Sequence, residues 1–368
     1  MRWNVFLQTT SIEIQWVRDT PFVGKEIIKD HGVDLKLSTT FAGFEKNGDQ
    51  ISVKTKDGQT IQADIVILAI GVRPDVEIAK QAGLEIGTFG GIRTNDRMQT
   101  SDPSVFAVGD CIETKDFVTG DWTNIPLAGP ANRQGRIAAD AIMGRDTTYK
   151  GVLGTAICKV FEGVVACTGL SEKMLQRKNR SFQKYYLYPN HHVGYYAGAE
   201  QIHMKVLFDP NNGKILGAQA FGTEGVDKRI DILSVAIYAG KTVHDLEDME
   251  LCYAPQFGAA KDPINLAGMI GSNFMNNDHP LCHWGKNENA LLVDVRSKAE
   301  YDDGHVPNAL NIPLPELRIK KGELPKDKTY YVYCRVGQRG YYATRLLLLN
   351  GFRVKNISGG YLSYEAMK

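Results

Sequence analysis

The 368-residue sequence lacks three features: a long apolar run, an excess of either charge, and a paired-cysteine motif. No apolar run approaches the roughly 20 residues that a membrane-spanning helix needs. Lys plus Arg number 43 and Asp plus Glu number 42, so the formal net charge of +1 gives no indication of a nucleic-acid partner or an anionic membrane. We therefore expect neither.

The six cysteines contain no C-x-x-C pair and no metal-ligand spacing with histidine. We expect free thiols, as in a reducing cytoplasm, and no metal site. The first 21 residues contain no apolar core followed by a small-residue cleavage site, so we expect no signal peptide and a cytoplasmic location. Hydrophobic residues are 43% and charged residues 23%, which is typical of a globular chain of two or three domains.

One cysteine near the C-terminus directly follows a β-prone stretch, Tyr330–Tyr333. After Cys334 comes a short loop with two arginines, Arg335 and Arg339, and then a leucine-rich helix at about Tyr341–Leu349. A strand, loop and helix in this order direct the loop amides and the positive helix end towards the sulfur, where they favour an anion. We predict a partly ionised, nucleophilic thiol. The alternative is a buried core cysteine that merely follows a strand.

From about Ala290 onwards the sequence resembles the rhodanese family. The matching motifs, in the family's order, are Leu292–Arg296, Glu300, Gly304–Pro307, Ala309, Asn311–Pro313, Cys334–Arg339 and Gly359–Tyr361. The resemblance implies that Cys334 carries sulfur as a persulfide held by the loop amides, and that Asp294 pairs with a loop arginine. Tyrosine phosphatases also begin their loop with Cys and end it with Arg. Only four residues separate Cys334 from Arg339, one fewer than in those phosphatases, which favours sulfur chemistry.

Two apolar stretches, Ile65–Ile70 and Val105–Val108, are predicted to be buried parallel strands. The second leads to Gly109-Asp110, at the strand end where open α/β sheets bind ligands, and a helix is predicted over 131–143. A Gly-Asp pair after a strand can also be a simple turn. Together with Ala69–Pro74, these residues resemble the FAD-dependent pyridine nucleotide-disulfide oxidoreductases. The resemblance implies that Gly109 and Asp110 bind the ribityl part of FAD, and that backbone amides near Ala128 face the flavin.

The middle of the chain, with its amphipathic helix Val226–Tyr238, resembles that family's dimerisation domain and implies a homodimer. A dimerisation domain followed by a rhodanese resembles the coenzyme A-disulfide reductase subgroup with a C-terminal rhodanese. This resemblance implies FAD and NAD(P)H as cofactors, and coenzyme A disulfide, coenzyme A persulfide or polysulfide as substrate. It also implies that Tyr253, with Tyr195 or its neighbour Tyr196, orients the substrate in the partner's active site. Ordinary interface tyrosines are the alternative.

Three motifs of that family are missing from this sequence: the glycine-rich turn for the FAD pyrophosphate, the redox cysteine, and the second glycine-rich turn for the nicotinamide cofactor. No cysteine precedes Cys111. We therefore expect a truncated form in which roughly the first half of a normal chain is absent. The apolar faces of Ile65–Ile70 and Val105–Val108 would then lack neighbouring strands and be exposed.

The predicted fold class is α/β and α+β multidomain. Its parts are an unassigned segment 1–24, a remnant of the two-dinucleotide-binding-domain flavoprotein fold at 25–149, an α+β dimerisation domain at 150–271, a linker at 272–289 and an α/β rhodanese domain at 290–368. Three functions stay open: a flavin-dependent coenzyme A-disulfide or persulfide reductase, a rhodanese-type sulfurtransferase alone, and a non-catalytic dimeric module.

Overall fold

The computed structural model describes residues 3–7, 23–37, 39–285 and 290–367. The chain divides into two compact units, one containing Lys25–Ala156 and the other containing Ile157–Lys368. Most of the unassigned segment 1–24 lies outside the described residues. No described helix is both long enough and apolar enough to cross a membrane.

The first unit is built from small sheets and three helices. Its described elements are β1 (Trp3–Leu7), α1 (Val23–Asp30), β2 (Val33–Leu37), β3 (Phe41–Asn47), β4 (Gln50–Thr55), β5 (Thr60–Ala63), α2 (Glu77–Gln81), β6 (Ile92–Arg93), β7 (Ile112–Lys115), β8 (Trp122–Thr123) and α3 (Ala128–Ile142). Strands β3, β4 and β5 form the antiparallel meander that the Asn-Gly and Asp-Gly turns predict. Gly48 and Gly58 have φ of 63° and 87°, which these turns require.

The two predicted buried strands do not form as predicted. Ile65–Ile70 contains no strand, and Ile65 and Ile67 are 76% and 73% exposed. Val105–Val108 makes only one isolated bridge, between Phe106 and Gln99. A parallel strand buried on both faces needs partners on its edges and layers over its faces, and no described strand flanks Ile65–Ile70. The strand prediction is therefore wrong, whereas the predicted exposure of the apolar side chains of Ile65–Ile70 is confirmed.

The middle of the chain forms an antiparallel sheet in the order β11-β12-β13-β10-β9, covered by helices. Its elements are β9 (Ala156–Val160), β10 (Gly163–Gly169), α4 (Glu172–Arg177), β11 (Gln183–Leu187), β12 (His203–Phe208), β13 (Ile215–Gly222), α5 (Val226–Tyr238), α6 (Val243–Asp248) and α7 (Pro263–Met275). Helix α5 has the predicted bounds, and its apolar side chains Ile230, Leu233 and Ile237 are buried. It packs on β10 and β13, the latter buried along its whole length.

The C-terminal part is a parallel five-stranded sheet in the order β14-β18-β17-β15-β16. Its elements are β14 (Leu281–Cys282), β15 (Leu291–Asp294), α8 (Lys298–Asp302), β16 (Leu310–Asn311), α9 (Leu314–Lys320), β17 (Thr329–Tyr333), α10 (Gln338–Leu349), β18 (Arg353–Ile357) and α11 (Gly360–Glu365). Val293, Val332 and Val354 on the central strands pack with Ala343 and Leu347 of α10 in one apolar core. The carboxyl end of β17 therefore delivers its next residue, Cys334, to the edge where parallel sheets place their functional loops.

The segment 272–289 differs from its predicted role as a linker. It holds the last turn of α7, the edge strand β14 and the buried Trp284. Trp284 packs against Tyr333 and donates a hydrogen bond from Nε1 to the Gly360 carbonyl at 2.9 Å. A two-residue strand is too short to show a periodicity in the sequence. For this reason the start of the C-terminal part was predicted later than the structure places it. Residues 286–289 lie outside the described part of this segment.

Candidate active site

Cys334 is placed at the start of the loop between β17 and α10, and its side chain is buried (1% exposed). The backbone N–H of Gly337 donates a hydrogen bond to the Cys334 Sγ at 3.1 Å. Gly337 has a φ of 111°, in the left-handed region that favours glycine, and directly precedes the first turn of α10. The loop thus aims a backbone donor and the positive end of a 12-residue helix at the sulfur, an arrangement that stabilises a negative charge there.

Arg339 lies in the first turn of α10 and forms a bidentate ion pair with Glu300 of α8, with both N···O distances 2.6 Å. Glu300 is also the third helical residue of a capping box with Ser297, so its position is set by α8. Arg339 lowers the pKa of Glu300 to about 2, and Glu300, with a smaller contribution from Cys334, raises the pKa of Arg339. Both partners are therefore charged at neutral pH beside the Cys334 loop.

Arg335 differs from Arg339 in that its side chain is exposed, and no described residue pairs with its guanidinium. Its backbone carbonyl accepts a hydrogen bond from Leu362 N–H at 2.9 Å, which fixes the loop while the side chain extends outward. An exposed guanidinium next to a nucleophilic sulfur can contact an anionic substrate directly.

The prediction that Asp294 pairs with a loop arginine is wrong. The fully buried Asp294 carboxylate accepts from Arg296, whose Nη2 lies 2.7 Å from Oδ2. Arg296 reaches it first because the two residues are only two positions apart at the end of β15. Arg296 also stacks on Tyr361 at 4.0 Å, and Tyr361 N–H donates to the Cys334 carbonyl at 2.7 Å. Asp294 thus acts on the loop backbone indirectly, through Arg296.

The second group of predicted residues lies in the middle of the chain. Tyr195 and Tyr253 are 58 positions apart in the sequence, yet their hydroxyl oxygens lie 3.4 Å from each other. Both side chains are exposed, and the hydrogen bond with Tyr195 raises the pKa of Tyr253. Tyr196, the other candidate, instead packs edge-on against His192. The structure therefore brings together Tyr195 and Tyr253, as two adjacent phenols facing solvent.

A buried ion pair that sequence reasoning missed supports both tyrosine loops. Arg229 and Asp262 are 1% and 2% exposed, and Arg229 Nη2 donates to Asp262 Oδ2 at 2.8 Å. The same nitrogen donates to the His191 carbonyl at 2.7 Å, in the loop that leads to Tyr195. Asp262 is the last residue of the stretch between α6 and α7, which contains Tyr253. A single arginine among the apolar positions of α5 was the sequence signal for this pair.

The residues predicted to contact FAD lie in the first unit. Gly109 and Asp110 form a short 3₁₀ turn, and Gly109 N–H donates to Gln134 of α3 at 2.8 Å. Asp110 is exposed, as is Ala128 at the first position of α3. A carboxylate and the unpaired amides of a helix start suit a ribityl chain and a flavin edge. The described residues of this unit include no glycine-rich turn for a pyrophosphate, so the fit to FAD is incomplete and we assign no step to it.

Stoichiometric FAD is not expected to stay bound to this chain. The Asp110 carboxylate contributes only about 1–2 kcal/mol through its hydrogen bonds, which does not replace a pyrophosphate site. The absorbance spectrum after gel filtration measures the bound flavin, and we expect none. A yellow protein would contradict this prediction, and Asp110→Ala would then show whether the flavin occupies the site described here.

Comparisons with known proteins agree on three consecutive regions. The family models that match are pyridine nucleotide-disulphide oxidoreductase over residues 22–135, its dimerisation domain over 155–262 and the rhodanese-like domain over 283–367. These regions follow the order of the first unit, the antiparallel middle sheet and the parallel C-terminal sheet.

Two curated relatives match this chain over part of its length. The chain is 39% identical over 240 residues to an NAD(P)H sulfur oxidoreductase (CoA-dependent) of Pyrococcus furiosus, which covers 65% of this chain and 54% of that protein. It is 35% identical over 224 residues to a coenzyme A disulfide reductase of Staphylococcus aureus, covering 60% of this chain and 50% of that protein. The chain spans about half the length of the curated relatives it matches.

Among solved structures, reduced Bacillus anthracis CoADR-RHD superposes with a TM-score of 0.93 at 41% identity. The match covers 99% of this chain and 70% of that chain.

Proposed function

The chain belongs to the pyridine nucleotide-disulphide oxidoreductase family, in its coenzyme A-disulfide reductase type with a C-terminal rhodanese domain, and from this membership we propose that it carries reactive sulfur as a persulfide on Cys334. The observation that carries the proposal is the Gly337 N–H placed 3.1 Å from the buried Cys334 Sγ. A backbone donor at that distance stabilises a thiolate before the reaction and a persulfide anion after it.

The proposed step is a transfer without net oxidation. The Cys334 thiolate attacks the outer sulfur of a donor persulfide or thiosulfate, forming one S–S bond while the donor's S–S bond breaks. The bonding pair leaves with the donor fragment, as a thiolate or as sulfite. The exposed Arg335 lies where it can hold the anionic donor, and an acceptor thiolate later removes the terminal sulfur from Cys334 by the same displacement.

We propose that this transfer serves the NAD(P)H-dependent reduction of a coenzyme A disulfide, coenzyme A persulfide or polysulfide, the family's redox chemistry. The observation that favours this wider function is the pair of exposed phenols of Tyr195 and Tyr253. Two adjacent hydroxyls can donate hydrogen bonds to a sulfur anion, and FAD with NAD(P)H supplies the electrons in the family. A rhodanese sulfurtransferase acting alone is the alternative, supported by the completeness of the Cys334 loop.

A thiosulfate:cyanide assay tests the transfer. The full chain should form thiocyanate, and Cys334→Ser should form none. The matched control is Cys282→Ala, because Cys282 is buried in the same part of the chain and burial raises the pKa of its thiol to about 12. Equal activity in wild type and Cys334→Ser would contradict the proposal. NAD(P)H oxidation with coenzyme A disulfide, measured with added FAD, tests the wider function separately.

The chain is expected to form a homodimer through its middle domain. Phe257, four positions after Tyr253 in the sequence, is 68% exposed, as expected for an apolar side chain that a second copy covers. Light scattering at micromolar concentration should give the mass of two chains, and Phe257→Asp should weaken the dimer at least tenfold. Ile319→Asp is the control, since Ile319 is equally apolar and 85% exposed but belongs to the C-terminal part. A monomeric wild type would contradict the expectation.

A further inference from the structure

We propose that His279, which lies outside the rhodanese motifs, is a positioning residue for the sulfur-carrying loop, because it orients Asn356 and through it Gly337. The inference rests on the proposed role of Cys334. It adds that the geometry of the loop is set in part by the segment that follows α7.

Three polar contacts connect His279 to the sulfur of Cys334. His279 Nε2 lies 2.8 Å from Asn356 Nδ2, and the same Nδ2 donates to the Gly337 carbonyl at 3.0 Å. The N–H of Gly337 then donates to the Cys334 Sγ. His279, Asn356 and Cys334 are 4%, 2% and 1% exposed, so water does not compete for the His279–Asn356 contact, whereas Gly337 is half-buried.

The direction of the Asn356 amide is decided by its surroundings. Its amide nitrogen donates to the Gly337 carbonyl and lies within hydrogen-bond distance of His279 Nε2, whereas Oδ1 has no partner among the described residues. Oδ1 lies against Gly340, where an added Cβ would come within 2.3 Å of it. Reversing the amide would set Oδ1 against the Gly337 carbonyl oxygen. The observed direction therefore requires His279 to accept at Nε2, which only a neutral ring with its proton on Nδ1 can do.

Burial, with Arg345 nearby, lowers the pKa of His279 to about 4, so the ring is neutral at physiological pH. Its position is also fixed. The His279 backbone N–H donates to Asn273 of α7 at 3.0 Å, and its ring packs edge-on against Tyr341 of α10. The acceptor for Asn356 is thus held by two helices.

Gly337 is the residue that needs this support. Its carbonyl accepts from Tyr341 N–H at 2.8 Å as well as from Asn356, so one atom anchors both α10 and the loop. Glycine has more accessible backbone conformations than any other residue, and these contacts contribute to holding its φ at 111° with the N–H aimed at the sulfur. Loss of the Asn356 contact would let the N–H turn away and remove a donor from the persulfide.

Two histidine replacements in the full-length chain test the inference. In His279→Gln the side-chain oxygen can occupy the Nε2 position and accept from Asn356, whereas in His279→Asn the amide reaches only the Nδ1 position. The measured quantities are the half-life of the Cys334 persulfide and the rate of Cys334 alkylation at pH 7.5. We expect both to fall about fivefold in His279→Asn, the effect of one neutral hydrogen bond, and to stay within twofold of wild type in His279→Gln.

Further variants separate positioning from general damage. Tyr342→Phe removes a hydroxyl from the exposed side of α10, next to Tyr341, and should change neither quantity. Asn356→Ser should reproduce the loss, and adding His279→Asn to it should cost nothing more, because both act through one contact. Asn356→Ser alone takes the place of His279→Asn if the latter proves unstable in thermal unfolding.

The outcomes distinguish this inference from the proposed function. If the wild type forms no persulfide on Cys334, the proposed function fails. If the wild type forms one but His279→Asn matches it, or His279→Gln is as impaired as His279→Asn, the positioning role of His279 is contradicted.

Discussion

Replacement of Arg229 by methionine is expected to lower the free energy of unfolding of the second unit by about 3–5 kcal/mol. Methionine keeps most of the apolar length of arginine, but it leaves the Asp262 carboxylate buried without its bidentate partner. Lys228 Nζ lies 3.9 Å from Asp262 Oδ2 and is partly exposed, so it cannot replace these hydrogen bonds. Asp262 also caps α7 by accepting from Ile264 N–H at 3.0 Å, so its displacement loosens that helix start.

Denaturant unfolding followed by circular dichroism measures this effect. Arg177→Met is the matched control, because Arg177 is an exposed arginine at the end of α4, and we expect a change within about 0.5 kcal/mol there. Arg229→Met combined with Asp262→Asn should be less destabilised than the sum of the single variants, since the buried charge is then removed. A loss below about 1 kcal/mol in Arg229→Met would show that the pair does not hold the two tyrosine loops together.

Exchange of Arg339 for alanine is expected to slow sulfur loading of Cys334 by about 10- to 100-fold, the range for loss of hydrogen bonds to a charged group. The variant removes a cation from the loop and leaves Glu300 charged beside it. An unpaired carboxylate there repels anionic donors such as thiosulfate. The rate of thiosulfate-dependent persulfide formation at pH 7.5 measures the loss, and Arg318→Ala, which removes an exposed arginine of α9, should change the rate less than twofold.

The pH dependence of this variant provides a sharper test. In the wild type Arg339 keeps the pKa of Glu300 at about 2, well below its ordinary value of 4.5. Without Arg339 the pKa of Glu300 should return towards that ordinary value. The Glu300 carboxyl then becomes neutral below about pH 4.5 and no longer repels the donor. The rate of persulfide formation in Arg339→Ala, relative to that of the wild type, should therefore rise below pH 4.5 and stay constant from pH 6 to 8. A ratio of the two rates that does not change with pH would mean that the charge of Glu300 does not contribute to the effect of Arg339→Ala.

Local patterns made the Cys334 loop predictable. A β-prone stretch, a cysteine, a glycine-containing loop and a leucine-rich helix are adjacent in the sequence, so their arrangement in space follows from chain geometry alone. The hairpins at Asn47-Gly48 and Asp57-Gly58 were predictable for the same reason.

Features that depend on distant partners were not predictable from residue patterns. The apolar run Ile65–Ile70 predicts a strand, but a strand also needs neighbours, and none of the described strands pairs with it. Side-chain positions, which the sequence does not show, decide that Arg296 rather than a loop arginine pairs with Asp294. Tyr195 and Tyr253 were singled out by family resemblance alone, and their contact with each other was not predicted. Arg229 and His279 were missed because each acts through a partner more than 30 positions away.

Mass spectrometry of the added sulfur shows which cysteine carries it. The full chain is incubated with thiosulfate or a small-molecule persulfide, unreacted thiols and persulfides are alkylated, and the peptides are analysed. We expect one added sulfur on Cys334, its retention in Cys282→Ala and its complete loss in Cys334→Ser. Added sulfur on the exposed Cys158 or Cys252 instead, or persistence of the added sulfur in Cys334→Ser, would contradict the assignment of Cys334 as the sulfur carrier.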